Sequence, residues 1–474
     1  MMRTFFFLLL MTFSLFAEAQ PNERKGYDIR LKVEGLQADE VYIGYHYASK
    51  SYILDTAKVG DLNIARFKSD TTVLQPGVYF FHHKAPDLYL EFVVGDEGRE
   101  FSFSTKNEDL LGSLKVEGSV ENQLFKEYQG FIVEKNAEKK VLEEGLADVK
   151  EDKAASETLQ GELSKLNDEV SEYQRNLLEK HPKAIVSELV RLVLPVEFPD
   201  DIKKADEIKR FRYYKKHYFD NLDLSSPSFL RNPMGMKKVE SYLKKYTYQH
   251  PDSIYASAER ILALSRASQA NYRHFLFWAL NDFLRSNIMG AESGFVKLAD
   301  KHLLVDTPSW ASEATVKKVR ERAEDLRPNL IGAVAPELHL LDSTLNTPVF
   351  LEQIPQDYVV LYFYDPDCGH CKKESPKLLK AYNNGLKDLG VEVMAVTVVT
   401  DMKKWKNYID ELGMNWVNAA DPYVQSNFRK HYDLKTTPII YILDRDRKII
   451  ARKIGAEHVK GFIEHKIKEE KTNQ

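Results

Sequence analysis

Cys368 and Cys371 are the only thiols in a chain of 474 residues, and they stand three positions apart in the stretch YFYDPDCGHCKKESPKL. A disulfide closing so short a loop removes little chain entropy, which makes the pair a poor structural staple. A zinc site takes about four ligands, and no second cysteine pair exists to supply them. His370, between the two thiols, is badly placed to complete a tetrahedron with both. The spacing leaves a redox pair. A chain otherwise free of cysteine suits that reading, because a third thiol could capture the active disulfide.

The first residues bear on the compartment. Arg3 precedes an apolar run at residues 5–16, followed by Ala17-Glu18-Ala19. This is the layout of a secretory signal peptide, residues 1–19, with cleavage expected after Ala19. The run is shorter than the about 20 apolar residues of a membrane span. No cysteine follows it, which excludes a bacterial lipid anchor of the usual type. Export places the pair in an oxidising space. The net charge of -4, with both signs interspersed, provides no general field for nucleic acid or anionic lipid, so no nucleic-acid partner is expected.

The texture along the chain changes twice. Residues 20–117 read as an antiparallel β domain, a sandwich of short strands: Tyr27, Ile29, Leu31 and Val33 alternate, as do Val41, Ile43, Tyr45 and Tyr47. The run LYLEFVVGDEGREFSFS reads as two strands about a turn at residues 95–98. Residues 118–327 read as an α-helical domain. Leu159, Leu163, Leu166, Val170, Tyr173 and Leu177 form a heptad seam under three heptads long, which predicts one helix of an internal bundle. KRFRYYKKHYF, residues 209–219, interleaves bases with aromatics and predicts a helix with a buried aromatic face. The last segment, residues 328–474, opens with a Pro- and Gly-punctuated linker. Buried strands then alternate with helices, including a helix over 402–412 and another over 424–432, and a hairpin turns at residues 444–447. That order predicts a mixed α/β sheet covered on both faces, so the whole chain is expected to be an α+β multidomain protein.

A strand, Cys-x-x-Cys at a helix start, Pro376 five residues past Cys371, and Thr437-Pro438 before a later strand together resemble the thioredoxin fold. CGHCKKESP, with APELHLLDS upstream, is similar to the motifs of TlpA/ResA-type exported thioredoxin-like proteins, over roughly residues 336–468. HYFDNLDL and HPDSI resemble pieces of the β and helical domains that precede such modules in envelope proteins of Gram-negative bacteria. The resemblance implies a periplasmic protein-disulfide oxidoreductase without cofactor or metal. Its partners would be thiol- or disulfide-containing envelope proteins, with a membrane-embedded electron donor if it works as a reductase.

Residue roles follow from that placement. Cys368, at the helix N-terminus, would be the attacking thiolate and Cys371, one turn inside, the resolving thiol. Gly369 would leave room for a partner's backbone, and His370 would donate to the Cys368 thiolate and make the disulfide more oxidising. A cis bond before Pro438 would present Thr437 to a substrate peptide and keep a metal-ligating side chain from the sulfurs. Glu374 matches an acid of the ResA-like proteins and would take the proton of Cys371; the other reading is a helix glutamate paired with lysine. Asp367 departs from the thioredoxin pattern, which has tryptophan there, and a carboxylate opposes thiolate formation.

Three other functions compete. A peroxiredoxin needs threonine where this chain has Asp365. A copper chaperone would add His431 or His458 to the thiols but uses a wider cysteine spacing. An envelope binding or assembly protein could carry the redox module as an accessory or vestige.

Overall fold

A computed structural model of the chain describes residues 26–83, 88–96, 98–149 and 151–472. The expected signal peptide lies outside the described residues. The chain divides into two compact units, Met1–Tyr242 and Leu243–Gln474, so the helical stretch expected at 118–327 is shared between them.

Among the described residues of the first unit, the strands form two four-stranded sheets. Tyr27–Glu34 alternates buried with exposed positions, and Ile29, Leu31 and Val33 meet Val41, Ile43, Phe81 and Phe92 in a shared core. Period-two patterning therefore does build a sandwich. Two features depart from the expected antiparallel order. Tyr27–Glu34 runs parallel to Glu100–Lys106. The strands Leu88–Val94 and Glu100–Lys106 belong to different sheets.

The heptad seam lies on the helix Lys153–Lys180, which folds back along Val120–Asp148. Tyr173 stacks on Phe131 at 4.0 Å, and Leu166 and Leu177 are buried, as expected for a bundle helix. The basic-aromatic stretch forms the helix Glu207–His217, but that helix buries none of its residues. Its buried aromatics, Tyr218 and Phe219, come after it, and Phe211 is exposed.

The second unit begins with helices and ends in a seven-stranded mixed sheet. Tyr358–Tyr364 lies near its centre, parallel to Val391–Thr397 and antiparallel to Ile439–Leu443. Every residue of Tyr358–Tyr364 is buried, because Tyr358, Val360, Tyr362 and Tyr364 face one core and Val359, Leu361 and Phe363 the other. A sheet covered on both faces demands that continuous apolar run. The expected helix at 424–432 shortens to Phe428–His431.

The segment read as a linker is tied to the module. Gly332 N–H donates to the Ile449 carbonyl, Ile449 N–H to Ala333, and Ala335 N–H to Arg447, each at 2.8 Å. Asn329, near its start, has no exposed surface.

Candidate active site

The strand Tyr358–Tyr364 ends at the turn that carries the cysteines. Asp365 shapes that turn: its carbonyl accepts from Cys368 N–H at 3.0 Å, and its carboxylate accepts from Asp367 N–H at 2.8 Å. The helix Cys371–Ala381 follows, with Pro376 inside it. A helix leaves its first N–H groups without intrahelical partners, and these face the residue just outside. His370 is that residue, and Cys368 stands two positions before it, where the backbone N–H groups of His370 and Cys371 act on its sulfur.

The two sulfurs have opposite surroundings. Cys368 is half-buried, and its thiol donates to the Thr437 carbonyl at 3.3 Å. Partial burial pushes this thiol up. The backbone N–H of Cys371, the side chain of Thr437, the Cys371 thiol and the backbone N–H of His370 together outweigh that and hold it below the ordinary thiol value. Cys371 has no exposed surface, and burial pushes its thiol up to about 12. The Asp365 N–H donates to the Cys371 sulfur at 3.4 Å. One sulfur is therefore open and easily ionised, and the other closed and protonated, which is the division of labour thiol–disulfide exchange needs.

The structure brings Cys368, Cys371 and Thr437 together, and the Thr437–Pro438 peptide is cis. Gly369 and His370 are exposed. Among the described residues, no side-chain hydrogen bond involves the His370 imidazole. Its contribution to Cys368 comes through its backbone N–H, not through the ring as the sequence suggested. Glu374 is also engaged differently from the expected proton acceptor. One carboxylate oxygen accepts from Lys377 at 2.7 Å; the other accepts from Ala456 N–H at 3.0 Å, at the start of the helix Ala456–Thr472. Asp367 pairs with Lys404 at 2.6 Å, which holds its carboxyl below the usual range and offsets its charge beside the thiol. His431 and His458 are exposed. Among the described residues, no group of three or more His, Cys, Asp and Glu could hold a metal ion.

A layer of hydroxyls beneath Cys371 escaped the sequence reading. Tyr362 shares a hydrogen with Ser375 at 2.7 Å. Tyr408 donates to Ser375 at 3.0 Å and contacts the Cys371 carbonyl at 3.3 Å. Trp405 donates to Tyr364 at 2.8 Å, and the rings of Tyr362 and Tyr364 stack 5.2 Å apart. Burial raises the pKa of all three tyrosines, so the layer is neutral. A neutral floor leaves the inner sulfur without a charge to help it ionise.

Several solved structures are similar to this chain. A domain of a possible thiol-disulfide isomerase from Cytophaga hutchinsonii is 33% identical, over 30% of this chain and 97% of that one, with a TM-score of 0.29. The thioredoxin domain of a thiol-disulfide oxidoreductase from Bacteroides vulgatus is 27% identical, over 28% and 96%, with a TM-score of 0.27. A thioredoxin-like protein from Bacteroides caccae is 15% identical, over 57% and 97%, with a TM-score of 0.48. Among curated proteins none matches. Residues 153–329 match a domain of unknown function, DUF5106, and residues 330–469 match the family described as Redoxin. Through that last module the chain belongs to the redoxin family of thioredoxin-like thiol–disulfide oxidoreductases.

Proposed function

We propose that the chain is an exported thiol–disulfide oxidoreductase that exchanges disulfides with periplasmic envelope proteins through Cys368 and Cys371. The observation that carries this reading is the contrast between the two sulfurs, an accessible thiol held below its ordinary pKa and a buried one raised to about 12.

In the reductive direction, the Cys368 thiolate attacks a substrate disulfide. One substrate sulfur bonds to Cys368 and the other leaves as a thiolate that takes a proton. Cys371 then loses its proton and attacks Cys368. The second substrate sulfur departs, and an intramolecular disulfide remains that an external dithiol must reduce again. Thr437 beside Cys368 supplies a carbonyl with which a bound peptide can pair. The lead-in APELHLLDS and the apolar run at residues 5–16 support export.

Insulin reduction by the reduced protein, with envelope proteins captured through Cys368 in a Cys371→Ser variant, tests the proposal. Failure to reduce insulin together with an absence of captured envelope proteins would sink it.

A further inference from the structure

Thr437 sits on the loop between the helix Phe428–His431 and the strand Ile439–Leu443. Loops are ordinarily the mobile part of a fold. This one is gripped from outside the redoxin match, by residues at the end of the preceding region. Arg322 binds Asp433 with both guanidinium nitrogens, at 2.7 and 3.0 Å. The Asn329 amide donates to the His431 carbonyl at 2.8 Å, while its oxygen accepts from Asp433 N–H at 3.2 Å and from the Tyr441 hydroxyl at 2.9 Å. Asp325 pairs with Lys435 at 3.0 Å. Arg452, from the last strand, reaches Asp433 at 3.0 Å and the Asn329 carbonyl at 3.3 Å.

These contacts are strong in kind. A bidentate guanidinium–carboxylate pair fixes orientation as well as distance. Burial would raise the Asp433 carboxyl, but Arg322 and Arg452 hold it below the usual range. Asn329 is wholly buried with both ends of its amide satisfied, so it has one orientation. Three residues lie between Asp433 and Thr437, and a contact that tunes a reactive sulfur has to be held to about half an ångström.

We propose that Arg322, Asp325 and Asn329 are positioning residues of the redox site, which set the loop that holds Thr437 against Cys368. The end of the region matched by the domain of unknown function is then a working part of the active site. This deepens the oxidoreductase reading and rests on Cys368 being its attacking sulfur.

The test uses the full, reduced chain and follows alkylation of Cys368 by iodoacetamide against pH, with thermal unfolding in parallel. Because the Thr437 side chain helps to hold the Cys368 thiol low, Arg322→Ala and Asn329→Ala are expected to move the Cys368 midpoint upward and to slow alkylation at neutral pH about three- to tenfold, the equivalent of half to one pKa unit. Arg322→Lys should recover part of the loss. A pH profile that superposes on the parent, with only the melting temperature lowered, would show that the network is scaffolding and overturn the proposal. If Asn329→Ala does not fold, Lys435→Ala replaces it, since that side chain is 60% exposed. A smaller shift of the same sign supports the proposal, and no shift overturns it. Alkylation reads the sulfur directly, so a parent unable to reduce insulin would sink the oxidoreductase reading while leaving this result interpretable.

Discussion

The backbone N–H of Asp365 donates to the sulfur of Cys371 across 3.4 Å, which ties the inner thiol to the end of the central strand. The outer thiol turns instead toward Thr437. The order of attack follows from this arrangement. Cys371→Ser is expected to accumulate mixed disulfides through Cys368 when offered a disulfide substrate, and Cys368→Ser to accumulate few. Non-reducing gels after acid quenching read the outcome, and equal accumulation by the two variants would remove the assigned roles.

Cys371 also makes the reduced protein sensitive to alkali. Its folded pKa of about 12 exceeds the about 8.5 of an unfolded thiol. Between those values the unfolded chain has lost a proton that the folded chain retains, so this group's contribution is complete below about 8.5 and is lost as pH rises toward 12. The slope is at most about 1.4 kcal/mol per pH unit. Urea unfolding of the reduced parent should weaken across that window more steeply than that of Cys371→Ser, and parallel curves would contradict the burial argument.

At His370 the backbone, not the ring, touches the chemistry. His370→Ala keeps the N–H and is expected to leave the Cys368 alkylation midpoint nearly unchanged. His370→Pro removes that N–H at a φ of -72°, which proline adopts without strain, and should raise the midpoint. The reverse ranking, with alanine more harmful than proline, would restore the imidazole as the tuning group.

Glu374 bridges two helices. Glu374→Ala should lower stability by about 1.5–3 kcal/mol, the range for a hydrogen bond to a charged group, and leave the rate at which Cys371 resolves a mixed disulfide within a factor of about two. Stopped-flow resolution kinetics decide the matter. A resolution rate reduced tenfold or more near neutral pH would make the carboxylate a proton acceptor after all.

Ser375 joins two buried phenols. Replacing it with alanine takes a partner from both, but Tyr408 keeps the Cys371 carbonyl, so Tyr362 is the group left stranded, at about 1–3 kcal/mol. Ser375→Ala is expected to melt several degrees below the parent, whereas Tyr408→Phe, which removes one hydroxyl and strands none, should cost less.

The sequence showed what repeats or stands alone. Alternation at Tyr27 to Val33 announced a sandwich face, and Cys368 with Cys371 could be noticed because no other thiol competes with them. It hid what depends on distant partners. Tyr362 and Tyr364 read as part of an apolar run, since nothing local indicates that their hydroxyls meet Ser375 and Trp405. Arg322 lies 111 residues from Asp433 on an ordinary charged helix, and no period links them. The parallel pairing of Tyr27–Glu34 with Glu100–Lys106 is likewise a matter of long-range topology, invisible in either strand. Glu374 and His370 were found by position, but the atoms through which they act depended on the fold around them.

The strands Tyr358–Tyr364 and Ile439–Leu443 lie side by side with every residue buried and no charge among them. Whenever the module opens, these two segments become bare β-forming templates of the kind that seed aggregates. Aspartates stand directly at their ends, Asp357 and Asp365 around the first and Asp444 after the second, where charged gatekeepers slow such self-association. Heat inactivation should therefore be irreversible and faster at higher protein concentration, so that the working lifetime of the protein is set by how rarely this strand pair sees water.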